Sequence, residues 1–422
     1  MRFNVFKNTV LLFVLVTVSC ASKVKKETIA FNSDNNIIKQ VKEDTTVAVG
    51  ANQTELYLPL LKGKRVGVVA NQTSVIFKEI TSSPKANRST SYVHLVDSLL
   101  ELKVAIKKVF APEHGFRGKA DAGEQVKDGI DTKTKLPIIS LHGKHRKPTQ
   151  AHLQGLDVMV FDIQDVGVRF YTYISTLHNV MEACAEAGIP VIIFDRPNPN
   201  GHYIDGPTLN NKHKSFLGMH PIPLVHGMTI GEYAKMINGK KWLADGLQCD
   251  ITVIPIKNYS HYIAYSLPIR PSPNLPNDQS IKLYPSLGLF EGTTINAGRG
   301  TEFQFQRYGA PFLNPETMSL RYTPIANFGA KYPKHQNTLC YGEDLQDAEL
   351  SSEMTLKWII KAYENSMDKS KFFNTDNFTK HAGTTILQQQ IVAGLSEEAI
   401  KATWKEDLQA FKKIRAQYLI YN

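Results

Sequence analysis

Five short apolar runs recur between residues 65 and 194, and each stops at a polar cluster. They are Arg65–Ala70 (RVGVVA), Ile106–Ala111, Leu136–Leu141, Asp157–Ile163 (DVMVFDI) and Pro190–Phe194 (PVIIF). Between them lie stretches with apolar residues at helical spacing, Tyr92–Leu102 and Tyr171–Ala187, the second closed by Gly188. Near-continuous apolar strands alternating with helices specify a parallel sheet covered on both faces. The pattern predicts an α/β chain in which residues 55–265 form a Rossmann-like, doubly wound, mostly parallel sheet.

In an open parallel sheet, ligands bind outside the carboxyl ends of the strands. Asn71, Glu113, His114, Asp162, Asp165, Asp195 and Arg196 all fall at or just past such ends, with Asn198 close behind. They converge on one edge. No G-x-G-x-x-G follows the first run, where the sequence reads Asn71-Gln72-Thr73-Ser74, so a dinucleotide is disfavoured despite the fold. Neither a Walker motif nor His-Glu-x-x-His occurs, and no cofactor is expected.

Past residue 266 the character changes. Leu267–Tyr284 is proline-rich and reads as a loop-rich crossover, and helical periodicity returns at Glu353–Glu364 and Glu397–Tyr418. Residues 266–422 are expected to form a smaller, ancillary α+β domain.

The N-terminus reads as an address. Arg2 and Lys7 precede an apolar run, Val10–Val18, that is too short to cross a bilayer and reads as a secretory signal over residues 1–20. Its end, Val16-Thr17-Val18-Ser19-Cys20, resembles a bacterial lipobox, making Cys20 the lipidation candidate and a membrane the expected partner through that anchor. Residues 21–54 read as a polar tether. The implied location is the cell envelope, facing the periplasm or at the outer membrane. Cys184, Cys249 and Cys340 lack metal-ligand spacing and read as buried free thiols. The net charge of +10 is spread thinly without aromatic interleaving, so nucleic acid is not an expected partner.

Glu113 sits in Phe110-Ala-Pro-Glu-His-Gly-Phe-Arg-Gly118, where apolar neighbours can raise a carboxyl toward general-acid range. The competing reading pairs it with Arg117. His114 is a candidate for orienting that carboxyl. Asp162 and Asp165, with Arg169 following, suit either a second carboxylate and substrate clamp or, with His114, a hard cation. Arg169, Tyr171 and Tyr173 open a helix whose N-terminus favours an anion. Glu291 is followed by Arg299 in a Gly-Arg-Gly turn whose glycines permit close backbone approach to a ligand; an internal salt bridge is the plainer reading. Thr229-Ile-Gly-Glu232 fits a capping box.

Taken together, these blocks resemble the exo-β-N-acetylmuramidases of the NamZ type, glycoside hydrolase family 171. The matching segments are Val68–Thr73, Phe110–Gly118, Phe161–Tyr173 (FDIQDVGVRFYTY), Phe194–Gly201 with Asp205–Pro207, Tyr284–Thr293 (YPSLGLFEGT) and Gly298–Thr301. The family removes terminal N-acetylmuramic acid from the non-reducing end of peptidoglycan fragments, so MurNAc-GlcNAc saccharides become the expected partners. The resemblance implies that Glu113 is the leading catalytic carboxyl, with Asp165, Glu291 and Asp162 ranked in that order for the second. Muramic acid carries a lactyl carboxylate, for which Arg169, Arg196 and Arg299 are the expected cations. A non-catalytic muropeptide-binding lipoprotein and a metal-dependent envelope hydrolase are the alternatives.

Overall fold

The computed structural model describes residues 45–78, 91–118, 124, 127–143, 145–349 and 352–422. The signal segment, Cys20 and the tether up to residue 44 lie outside the described residues. Residues 46–422 form one compact unit. Its packing begins early: Val49 and Ala51 are fully buried, and the Gly50 N–H donates to Asp195 C=O at 2.9 Å.

In the first lobe the strands are β1 (Arg65–Ala70), β2 (Val75–Lys78), β3 (Ser91–His94), β4 (Ala105–Ala111), β5 (Gly129–Ile130), β6 (Pro137–Ser140), β7 (Val158–Asp162), β8 (Val191–Phe194) and β9 (Ile251–Ile254). β2 and β3 pair as a separate antiparallel ribbon, and the other seven form one sheet in the order β5-β6-β4-β1-β7-β8-β9. All its pairings are parallel except β5 with β6. The parallel strands, numbered along the chain, lie in the order 3-2-1-4-5-6 of a doubly wound sheet, which reverses between β1 and β7.

Side-chain alternation explains why both faces are covered. Val69, Met159, Phe161, Val191 and Ile193 point into one hydrophobic core, while Val66, Val68, Val158, Val160 and Ile192 point into another. The helix Tyr173–Ala187 turns Ile174, Leu177, Val180, Met181 and Cys184 toward the first core at the spacing of a buried helical face. It ends at Gly188, in the left-handed region at φ 65°.

The second lobe holds β10 (Arg307–Ala310), β11 (Leu320–Tyr322) and β12 (Cys340–Asp344), antiparallel in the order β10-β12-β11, with helices between Lys357 and Arg415. Two expectations change here. The end of the crossover, Asp278–Leu287, is helical, because Asn277 and Ser280 cap it reciprocally and Ile281, Leu283 and Leu287 bury one side. The expected long C-terminal helix breaks at Thr403–Trp404 into Glu397–Ala402 and Lys405–Arg415.

The lobes share their interior. Leu283, Phe290, Tyr308 and Phe378 belong to the same continuous core as Phe161 and Ile193. At the chain end, Tyr421 Oη donates to Asp195 Oδ2 (2.7 Å) and Ile420 N–H to Glu232 Oε1 (2.9 Å), tying the tail to the sheet edge. Glu232 also closes the capping box with Thr229. Cys184, Cys249 and Cys340 are buried free thiols.

Candidate active site

The edge at the sheet's switch point is filled by the protein itself. At the end of β1, Asn71 is fully buried, its Oδ1 accepts from Thr73 N–H (2.9 Å) and its Nδ2 donates to Tyr173 Oη (2.9 Å). At the end of β7, the Asp162 carboxylate is gripped by Arg196, with Nε at 2.6 Å and Nη2 at 2.9 Å, both residues being inaccessible. Asn198 is buried, donating to Met228 C=O (2.9 Å) and accepting from Asn200 N–H (2.8 Å). Asp165 is buried with Oδ2 accepting from Gly167 N–H (2.7 Å), as a turn residue does. Asn71, Asp162, Arg196 and Asn198 therefore stand in the scaffold rather than in open space, held by local backbone and one buried ion pair. Asp165 is also buried and does not line the cleft between the lobes, but its Oδ1 has no hydrogen-bond partner among the described residues and His226 Nε2 lies 3.6 Å from Oδ2.

Arg169 belongs to the scaffold for a different reason. It is wholly buried and donates to the C=O groups of Pro207 (2.7 Å), Ile222 (2.8 Å), His381 (3.1 Å) and Ala382 (2.7 Å). The last two end the helix Thr375–Ala382, whose C-terminus attracts a cation. Burial without a carboxylate partner brings its pKa down to about 9. It fastens one lobe to the other.

One turn of chain away, a cleft of about 90 Å³ opens between the lobes, lined from one side by Glu113, His114, Thr172 and Tyr173 and from the other by Tyr284, Glu291 and Arg299. Glu113 occupies a tight turn after β4, closed by Gly115 N–H donating to Pro112 C=O (3.0 Å). His114, buried within that turn, holds φ 69° in the left-handed region, a conformation costly for a residue with a Cβ and often found at functional sites. Thr172 holds the N-cap position of the helix Tyr173–Ala187, and its hydroxyl makes no capping bond but donates to Glu113 Oε2 at 2.7 Å. The helix N-terminus thus stands beside a carboxyl of the protein itself. Arg117 is not its partner: it pairs with Asp131 (2.8 Å) and Asp97 (3.2 Å).

Across the cleft, Glu291 Oε1 lies 3.0 Å from Arg299 Nη1, and Oε2 lies 3.8 Å from His381 Nε2. Burial pushes this carboxyl up, but His381, the Arg299 charge and nearby Lys334 outweigh it and hold its pKa down at about 2. Lys334, whose own pKa is brought to about 8 chiefly by burial, donates to Phe290 C=O at 2.9 Å and stiffens this wall from below. The glycines flanking Arg299 serve the chain, not a ligand: Gly300 has φ 81°, and a Cβ there would stand 2.7 Å from Pro333.

Several cleft residues escaped sequence reasoning. Tyr284 packs edge-on against Phe170 (5.3 Å) and Phe305 (4.9 Å), and both Glu291 and Glu113 add to burial in raising its pKa, so its hydroxyl stays a proton donor. Tyr284 and Thr172 stand inside the motif blocks quoted above and were legible as their members. Ser272, Asn274 and His381 carried no local signal, since the crossover and a distant helix deliver them.

Two family models cover the chain: the N-terminal domain of exo-β-N-acetylmuramidase NamZ matches residues 66–279 and its C-terminal domain residues 282–421. The chain belongs to the NamZ family. The peptidoglycan β-N-acetylmuramidase NamZ of Bacillus subtilis (strain 168) is 40% identical over 384 residues, covering 86% of this chain and 89% of that one. Two crystal structures of DUF1343 family proteins from Bacteroides fragilis NCTC 9343 share the fold. One has a TM-score of 0.78 at 44% identity and the other 0.72 at 26%, each match covering 89% of this chain and 99% of that one. The junction of the two NamZ models falls at the start of the helix that carries Tyr284, so each NamZ half contributes one carboxyl to the cleft.

Proposed function

We propose that this NamZ family member is an exo-acting glycoside hydrolase that releases terminal N-acetylmuramic acid from the non-reducing end of peptidoglycan fragments. The observation that carries the reading is the pair of opposed carboxyls in one cleft, with Glu291 held ionised by its cationic neighbours. Glycosidases set two such groups to different tasks by pushing their proton affinities apart. A carboxyl held near pKa 2 cannot supply a proton at neutral pH, which leaves Glu113 as the donor to the departing glycosidic oxygen. The Thr172 hydroxyl serves both states, donating to the carboxylate and accepting from the acid. Glu291, facing it, offers negative charge to the oxocarbenium-like transition state.

Of the three arginines expected to read the lactyl carboxylate, Arg299 is the one lining the cleft. We further propose that Cys20 is acylated and holds the enzyme at the cell envelope, as the lipobox-like end of the signal supports.

Incubation of the purified chain with MurNAc-GlcNAc, followed by chromatography, tests the activity. Free N-acetylmuramic acid and N-acetylglucosamine are expected in equal amounts. Tight binding of the disaccharide with no free sugar formed would replace the hydrolase by the muropeptide binder.

A further inference from the structure

The cleft is too small for its substrate. An apolar cavity of about 150 Å³ encloses a single benzene ring, whereas the Glu113 cleft offers about 90 Å³. An N-acetylated sugar bearing a lactyl group cannot be swallowed whole, and whatever follows its anomeric oxygen has to rest on the lip. Beside the cleft runs the loop between β11 and β12, whose Gly329 C=O meets the cleft-lining Arg299 and Asn274, and its side chains are unusual for a surface.

Ile325, Phe328, Tyr332 and Leu339 are exposed on this one loop, Phe328 at 59% and Tyr332 at 91%. Single exposed apolar residues need no explanation, but several together on one segment mark a contact surface. The loop is also fixed. Asn327 and Ala330 exchange both backbone hydrogen bonds (3.1 Å each), making Phe328-Gly329 the tip of a tight turn. Ile325 N–H donates to Gly300 C=O (2.8 Å), Asn327 Nδ2 to Thr301 C=O (3.0 Å), and His335 Nε2 lies 2.6 Å from Thr294 C=O.

The tip touches the cleft itself. Gly329 C=O accepts from Arg299 Nη2 (3.1 Å) and from Asn274 Nδ2 (2.7 Å), both on cleft-lining residues. Gly329 sits at φ 92°, and a Cβ there would stand 2.7 Å from Pro273, so only glycine lets the turn dock this closely. Lys331 Nζ also pairs with Glu124 at 2.5 Å. Two uncovered aromatic rings are thus carried on a fixed backbone within a few residues of the catalytic wall.

We propose that Phe328 and Tyr332 form the leaving-group subsite, a stacking platform for the neutral pyranose ring attached to the scissile oxygen. The assignment rests on the muramidase reading, under which the cleft takes the reacting side of the terminal sugar and the adjoining loop meets the N-acetylglucosamine that departs. Apolar C–H faces of a pyranose pack on aromatic rings much as other apolar groups do, and a loop backbone already fixed leaves only the side-chain rotamers to be ordered on binding.

The test compares two substrates that differ only in the leaving group, MurNAc-GlcNAc and β-N-acetylmuramyl fluoride. In the full chain, the double variant Phe328→Ala/Tyr332→Ala is expected to lose about tenfold in kcat/KM on the disaccharide and less than about twofold on the fluoride. Phe328→Trp, which keeps a ring, is expected to retain the disaccharide rate. An equal loss on both substrates would mean that the loop acts through Arg299, and no loss on either would mean that the rings are idle; both outcomes overturn the proposal. Should the double variant misfold, Tyr332→Ala alone carries the test, because its side chain packs on almost nothing; about threefold is expected on the disaccharide, and no selective loss overturns the proposal. Failure of the unaltered chain on both substrates refutes the muramidase reading instead.

Discussion

Two groups of charged residues stand at neighbouring places on one sheet edge and have opposite fates. At the switch point, Asp162 and Arg196 lie in direct bidentate contact with no access to solvent. In the cleft, Glu113 and Glu291 are held by separate partners on separate lobes, Thr172 for one and Arg299 for the other, and both line open space. Burial pushes the Asp162 carboxyl up, Arg196 offsets this only in part, and Arg196 Nη2 also donates to Val75 C=O at 3.0 Å. The lesson is that the residues at the fold's usual ligand crevice are buried in contacts of their own, while the candidate site lies to one side, where the second lobe supplies a facing wall.

The largest expected effect breaks the cleft and spares the scaffold. Glu113→Gln keeps the shape and the Thr172 contact but removes the proton. A loss of about 10²–10⁴ in kcat/KM on MurNAc-GlcNAc is expected with an unchanged melting temperature. Turnover at the unaltered rate would sink the proton-donor role.

The mirror experiment breaks the scaffold. Arg196→Met leaves the Asp162 carboxylate buried and uncompensated, for an expected stability loss of about 3–5 kcal/mol by denaturant unfolding. Adding Asp162→Leu removes the stranded charge and is expected to recover most of that loss. The double variant should then cleave MurNAc-GlcNAc near the unaltered rate. If it is stable but inactive, the switch point takes part in chemistry and the contrast fails.

What the sequence made legible follows from how local each signal is. The strand runs and the Thr229–Glu232 cap depend on neighbours within a few residues, and both appear as read. Placing polar residues at strand ends was equally sound, since Asn71, Asp162 and Arg196 do lie there. Whether such a residue faces solvent or a partner is a long-range fact: Asp162 meets Arg196 from 34 positions away, and Arg169 meets Ala382 from 213. Neither distance leaves a trace in spacing or periodicity. For Glu291 the plainer sequence reading is an internal salt bridge with Arg299. The contact is one, and lining the cleft is what makes that bridge matter.

The smallest expected effect is a displacement along the pH axis, and it probes the electrostatics that separate the two carboxyls. With Arg299 in place, Glu291 keeps its charge down to about pH 2, so the acidic limb of kcat/KM lies below the practical range. In Arg299→Gln the same burial that now loses to the cations meets less opposition. Burial disfavours the charged form, so the Glu291 pKa rises and protonation inactivates the variant at higher pH. The ratio of variant to unaltered kcat/KM on MurNAc-GlcNAc is therefore expected to fall by about tenfold between pH 7 and pH 4. The substrate's own lactyl carboxylate titrates alike against both proteins and largely cancels in that ratio. A ratio that is low but flat across the range would show that Arg299 only holds substrate, and that Glu291 owes its ionised state to His381 and Lys334.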